Sequence, residues 1–77
     1  MASAFGMVKE ILLSPNLSFK GAIQKMKTCL QLDQDQLTHP TIEGKKYIRL
    51  MARAAKHLNR TDVFHYLRNI TPPGTTG

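Results

Sequence analysis

Apolar residues return every three or four positions in four stretches of this chain, and alternation between apolar and polar residues never lasts more than a few positions. A spacing of i, i+3, i+4, i+7 gathers side chains on one face of a helix, whereas a half-buried strand alternates. The pattern predicts an all-α chain. Its 77 residues permit one modest core and one domain, near the lower end of what folds unaided.

The first stretch, from about Ser3 to Leu13, aligns Phe5, Val8, Ile11 and Leu12, and Pro15 with Asn16 ends it. The second, from an N-cap at Ser18 to about Leu32, aligns Phe19, Ala22, Ile23, Met26, Cys29 and Leu30. Residues Asp33 to Pro40 read as a polar connection. The third and longest stretch, about Thr41 to Leu58, takes Thr38 or Thr41 as its cap and has Glu43 in its first turn. A break or kink at Asn59–Asp62 leads to the fourth, Asp62 to about Ile70, which aligns Val63, Tyr66, Leu67 and Ile70. Thr71 to Gly77 contains Pro72 and Pro73 and nothing to bury. The expected architecture is a small single-domain bundle of about four helices over residues 1–70, with a disordered, flexible tail or linker at 71–77.

The core has to come from Leu, Ile, Val, Met and Ala, because tryptophan is absent and only five residues are aromatic, three Phe and two Tyr. That mixture suits helix packing. A single cysteine, Cys29, excludes an intrachain disulfide, and a small secreted domain would ordinarily be stapled. With no long apolar run for a signal or a membrane span, the expected setting is intracellular, cytoplasmic or nuclear.

The motifs of catalysis and metal binding do not assemble. His39, His57 and His65 lack the i, i+4 pairing or cysteine partners of a zinc site. Asp33-x-Asp35 begins like a calcium loop, but Leu37, Thr38 and Gly44 fall where a ligand, a glycine and a glutamate are needed. The five glycines are scattered, so no phosphate-cradling loop exists. Cys29 falls on an apolar face, where a thiol is inert packing. No cofactor, no metal and no enzymatic activity are expected.

What remains is charge. Eleven Lys and Arg against five Asp and Glu give +6, a balance that favours anionic partners. The charge is arranged. On the third helix Lys45, Arg49, Arg53, Lys56 and Arg60 recur at spacings of four, four, three and four, within roughly an 80° arc if the helix persists that far. Lys46 borders the arc, and Tyr47, Ile48, Met51, Ala54, Ala55 and Leu58 fill the opposite side. Like charges at i, i+4 repel by about 0.2–0.5 kcal/mol per pair, and no acidic residue follows Glu43 within the helix.

Two readings fit that strip. It is a solvated face whose long side chains also cover the apolar stripe, or it is a docking strip for an anion, its arginines offering bidentate forks. The docking reading makes the chain a non-enzymatic protein–protein interaction module, an adaptor that presents Lys45, Lys46, Arg49, Arg53, Lys56 and Arg60 to an acidic protein surface or helix. The alternative is a nucleic-acid-binding domain that lays the same helix on phosphates. Against it, the eight-residue Asp33–Pro40 connection is long for a helix-turn-helix, and the strip lacks base-reading Asn or Gln. An amphipathic membrane-surface helix ranks last, because the apolar face is rich in alanine and is needed to close the core.

The run Leu58-Asn59-Arg60-Thr61-Asp62-Val63-Phe64-His65-Tyr66-Leu67 resembles the final-helix region of death-fold interaction domains. Those are six-helix bundles, and the similarity covers about ten residues. The resemblance implies protein–protein binding and nothing finer.

Overall fold

The computed structural model describes residues 3–76; Met1, Ala2 and Gly77, which the domain boundaries above include, lie outside it. Among the described residues there are five helices and no strand: α1 (Ala4–Leu13), α2 (Phe19–Leu30), α3 (Gln34–Thr38), α4 (Ile42–His57) and α5 (Thr61–Ile70). The four longer ones are the four periodic stretches.

Their starts are chemically alike. The hydroxyls of Ser3, Ser18 and Thr41 accept from the backbone N–H groups of Gly6, Gly21 and Gly44, at 3.0, 3.1 and 3.0 Å. Each cap satisfies one of the donors that a helix start leaves open. Thr41, not Thr38, caps α4.

The connection expected at Asp33–Pro40 is corrected by α3. Asp33 Oδ1 accepts from Gln36 N–H at 2.9 Å, while Gln36 Oε1 accepts from Asp33 N–H at 2.8 Å. This reciprocal capping box nucleates a single turn. The turn drives Leu37, the one apolar residue of the segment, fully into the core.

Two helices end on left-handed residues. Gln31 has φ 57° and Asn59 has φ 60°. After each, the chain turns back on the helix: Leu32 N–H donates to the Lys27 carbonyl and Arg60 N–H to the Ala55 carbonyl, both at 2.8 Å. These are Schellman closures, which favour glycine at the left-handed position. Gln31→Gly is therefore expected to raise stability by about 0.5–1 kcal/mol, read as a higher urea midpoint at unchanged slope. A lower midpoint would mean that the Gln31 side chain contributes more than its strained backbone costs.

The core is aliphatic throughout. Val8 and Leu12 of α1, Ala22, Ile23, Met26 and Leu30 of α2, Ile48, Met51, Ala54 and Ala55 of α4, and Val63 and Leu67 of α5 meet in one cluster with Leu32 and Leu37. Helix α4 is central: it packs on α5, α1 and α3, while α2 closes on α1 and α5. Alanines at 52, 54 and 55, all buried, keep its inner surface low. At the rim the Phe19 and Tyr66 rings meet edge to face, 5.3 Å apart, and Gln34 Nε2 donates to the Tyr66 hydroxyl at 3.3 Å.

Beyond Ile70 the described residues carry no helix, as Pro72 and Pro73 imply. Two threonines of this stretch, Thr71 and Thr75, are buried. The Thr71 hydroxyl donates to the Leu67 carbonyl at 2.6 Å, and Arg49 Nε donates to the Thr75 carbonyl at 3.2 Å.

Candidate functional site: a basic saddle on α4

With α1 on one side and α5 on the other, the outer face of α4 is a ridge between two depressions. Lys46, Arg49, Arg53 and Lys56 stand exposed along the ridge, and Lys45 is half-buried at its edge. The helix holds these five together because spacings of three and four residues return to one face.

Arg60 does not join them. Helix α4 ends at His57, the chain reverses at Asn59, and Arg60 becomes the residue that precedes α5. There its guanidinium grips the Asp62 carboxylate with two bonds, Nε to Oδ1 at 3.2 Å and Nη2 to Oδ2 at 3.1 Å, while Nη1 donates to the Leu12 carbonyl at 3.4 Å. The wheel that put Arg60 on the strip assumed a helix that continues; the Schellman closure ends it. Arg60 ties the α4–α5 corner to the end of α1.

The Arg60 bonds hold the Asp62 carboxyl below the usual aspartate range, and the Val63 N–H assists at 2.8 Å. A carboxylate with a lowered folded pKa contributes stability that is complete above the unfolded value of about 3.9 and is lost as pH falls through the folded value. The pair is partly solvated, so its share is small. Arg60→Ala should remove this part of the acid-side loss of stability, below about pH 4, and leave the profile near neutrality parallel to that of the native protein. An acid limb unchanged by the substitution would contradict the assignment.

Arg60–Asp62 is the one ion pair among the described residues. Within that set, Lys46, Arg49, Arg53 and Lys56 have no acidic partner within ion-pair distance. Neither Asp33 nor Asp35 reaches the ridge to neutralise it.

On the α5 side the depression measures about 430 Å³ and is lined by Arg49, Arg53, Lys56 and Arg68, with Ala52, Phe64 and Thr76. Lys56 Nζ and the Arg68 guanidinium carbon lie 5.8 and 5.6 Å from the centre of the Phe64 ring, within reach of cation–π attraction. On the α1 side a shallower depression of about 350 Å³ is formed by Phe5, Lys46, Arg49, Leu50 and Arg53, with Lys9 Nζ 5.2 Å from the Phe5 ring. Arg49 and Arg53 belong to both. The surface is a saddle, with two arginines at its crest and a half-buried phenylalanine on each flank.

Arg68, Phe64 and Phe5 were not singled out on the strip, because each lies on a different helix. One signal was present: Phe64 and Arg68 are four apart, so they share a face of α5. No group of three His, Cys, Asp or Glu side chains capable of holding a metal converges among the described residues, and no helix among them is long and apolar enough to cross a membrane. Comparison with protein-family models, with curated proteins and with solved structures finds no match.

Proposed function

We propose that this chain is a non-enzymatic protein–protein interaction module that docks the saddle on α4 against an acidic partner. The observation that carries the reading is the four exposed cations Lys46, Arg49, Arg53 and Lys56 on one helix, without an ion-pair partner among the described residues and flanked by two aromatic depressions. A face that only keeps a helix solvated gains from interspersed acids, which would relieve repulsion along it. The phenylalanine flanks add what charge alone lacks: places for apolar anchors of an amphipathic segment, while its carboxylates pair with the crest.

A second reading, nucleic-acid binding by the same helix, draws support from one feature of the fold. Because α3 fills the former connection, only His39, Pro40 and Thr41 separate it from α4, so the objection that the linker is too long for a helix-turn-helix falls away. The other objection stands, since the strip offers no Asn or Gln to read bases. Moreover, its cations run from Lys45 to Lys56 along most of α4, whereas recognition helices contact bases with their N-terminal residues.

The two readings separate in a titration of a labelled acidic helix-forming peptide, duplex DNA and single-stranded RNA at roughly 50 and 200 mM salt. Docking on protein predicts that the peptide binds and keeps part of its affinity at the higher salt through its apolar contacts. Tight nucleic-acid binding that collapses with salt, with the peptide unbound, would overturn it in favour of the second reading.

A further inference from the structure

We infer that the α4–α5 depression is a receptor for a phosphorylated side chain on that acidic partner. The inference rests on the docking reading and adds the group that the site recognises. Its basis is convergence. Arg49, Arg53 and Lys56 from α4 and Arg68 from α5 surround one hollow of about 430 Å³, and no Asp or Glu among the described residues lines it. Cations merely spread over a solvated surface have no reason to meet across a helix–helix junction. Here Lys56 and Arg68, contributed by different helices, are both within 6 Å of one ring, that of Phe64.

Four positive charges around one hollow focus a potential that a lone carboxylate offsets by one unit only. A phosphate monoester brings about −1.5 to −2 charges and three acceptor oxygens, enough to engage several of these cations at once. The arginines suit it, because each planar fork can meet two phosphate oxygens. Arg49 is already steadied by the bond from its Nε to the Thr75 carbonyl, which leaves its two terminal nitrogens for a ligand.

The same geometry argues against a nucleic-acid strand in this hollow. Strand binders pair cations with aromatic faces on which bases stack. The Phe64 ring has two cations against it and the His65 ring edge to face 5.9 Å away, so it anchors cations in place of a base.

The test uses three labelled acidic peptides, identical except for a central phosphoserine, serine or glutamate, titrated against the native chain by fluorescence anisotropy. The phosphopeptide is expected to bind at least about tenfold more tightly than either twin. Arg68→Gln, at an exposed position outside α4, should remove most of that advantage while changing affinity for the serine peptide by no more than about threefold. A retained thermal transition shows that the variant is folded. Equal affinity for all three peptides overturns this inference and leaves the docking reading intact. So does an Arg68→Gln variant that keeps the full phosphate preference; duplex DNA that outcompetes the phosphopeptide overturns both in favour of nucleic-acid binding. Failure of every peptide to bind overturns both.

Discussion

Leu67→Ala is expected to destabilise the fold by about 3 kcal/mol or more, a large part of the stability of so short a domain. Leu67 is fully buried on the helix that packs against α4, α2 and α3 together, so the cavity would open where four elements meet. Truncating a buried leucine removes its transfer free energy and leaves a void that the neighbours fill only in part, a combined loss of about 2–5 kcal/mol. A domain of this length has a total stability on the order of 4–10 kcal/mol. Denaturant unfolding measures the loss directly. Leu13→Ala is the control: Leu13 is 63% exposed, and its truncation should change stability by less than about 0.5 kcal/mol. Similar effects at the two positions would mean that the packing around α5 is not as described.

The second large effect has opposite signs in stability and in binding. Replacing Arg49, Arg53 and Lys56 together by glutamine should weaken an acidic peptide about 100-fold, some 2.7 kcal/mol, because three cations of the saddle lose their charge. The same change removes the repulsive pairs 45/49, 46/49, 49/53 and 53/56, each about 0.2–0.5 kcal/mol. Against that gain stand the lost Arg49–Thr75 hydrogen bond and the lost Lys56–Phe64 contact. The net expectation is a variant as stable as the native chain or more stable by up to about 1 kcal/mol, with its binding gone. A helix face with no docking role would show the same stability change with no binding to lose.

The helices were readable where periodicity had room to repeat. Val8 and Leu12, Ile23 and Met26, Ile48 and Met51, and Val63 and Leu67 are each buried pairs three or four apart; the Ser18 cap is visible as a hydroxyl before an apolar run, and the cap of α4 is one of the two threonines, Thr38 and Thr41, that precede it. Helix α3 escaped because five residues with one apolar side chain have no period. Its sign was the Asp33-x-x-Gln36 spacing of a capping box, which in so polar a stretch reads as loop.

The spacing places Lys45 to Lys56 on one face of α4, and Arg60 falls outside it because the helix ends at His57. A helical wheel carries no information about where a helix stops, and the stop depends on Asn59 accepting a left-handed backbone. Once the chain has turned, Asp62 is the acid within reach, and Arg60 exchanges a place on the ridge for an ion pair. The contribution of α5 could not be seen from any single helix. Arg68 joins Arg53 and Lys56 only because α5 packs beside α4, a tertiary fact that spacing within one element does not encode.

The central claim, that the basic saddle is a docking surface, is tested most directly by the dissociation constant of one labelled acidic helical peptide for the native chain and for the Arg49→Gln, Arg53→Gln, Lys56→Gln variant, at roughly 50 mM salt and with both proteins verified as folded. A native complex weakened about 100-fold in the variant, at undiminished thermal stability, is the predicted result. Equal affinity of the two proteins for the peptide would contradict it and return the strip to the role of a solvated face.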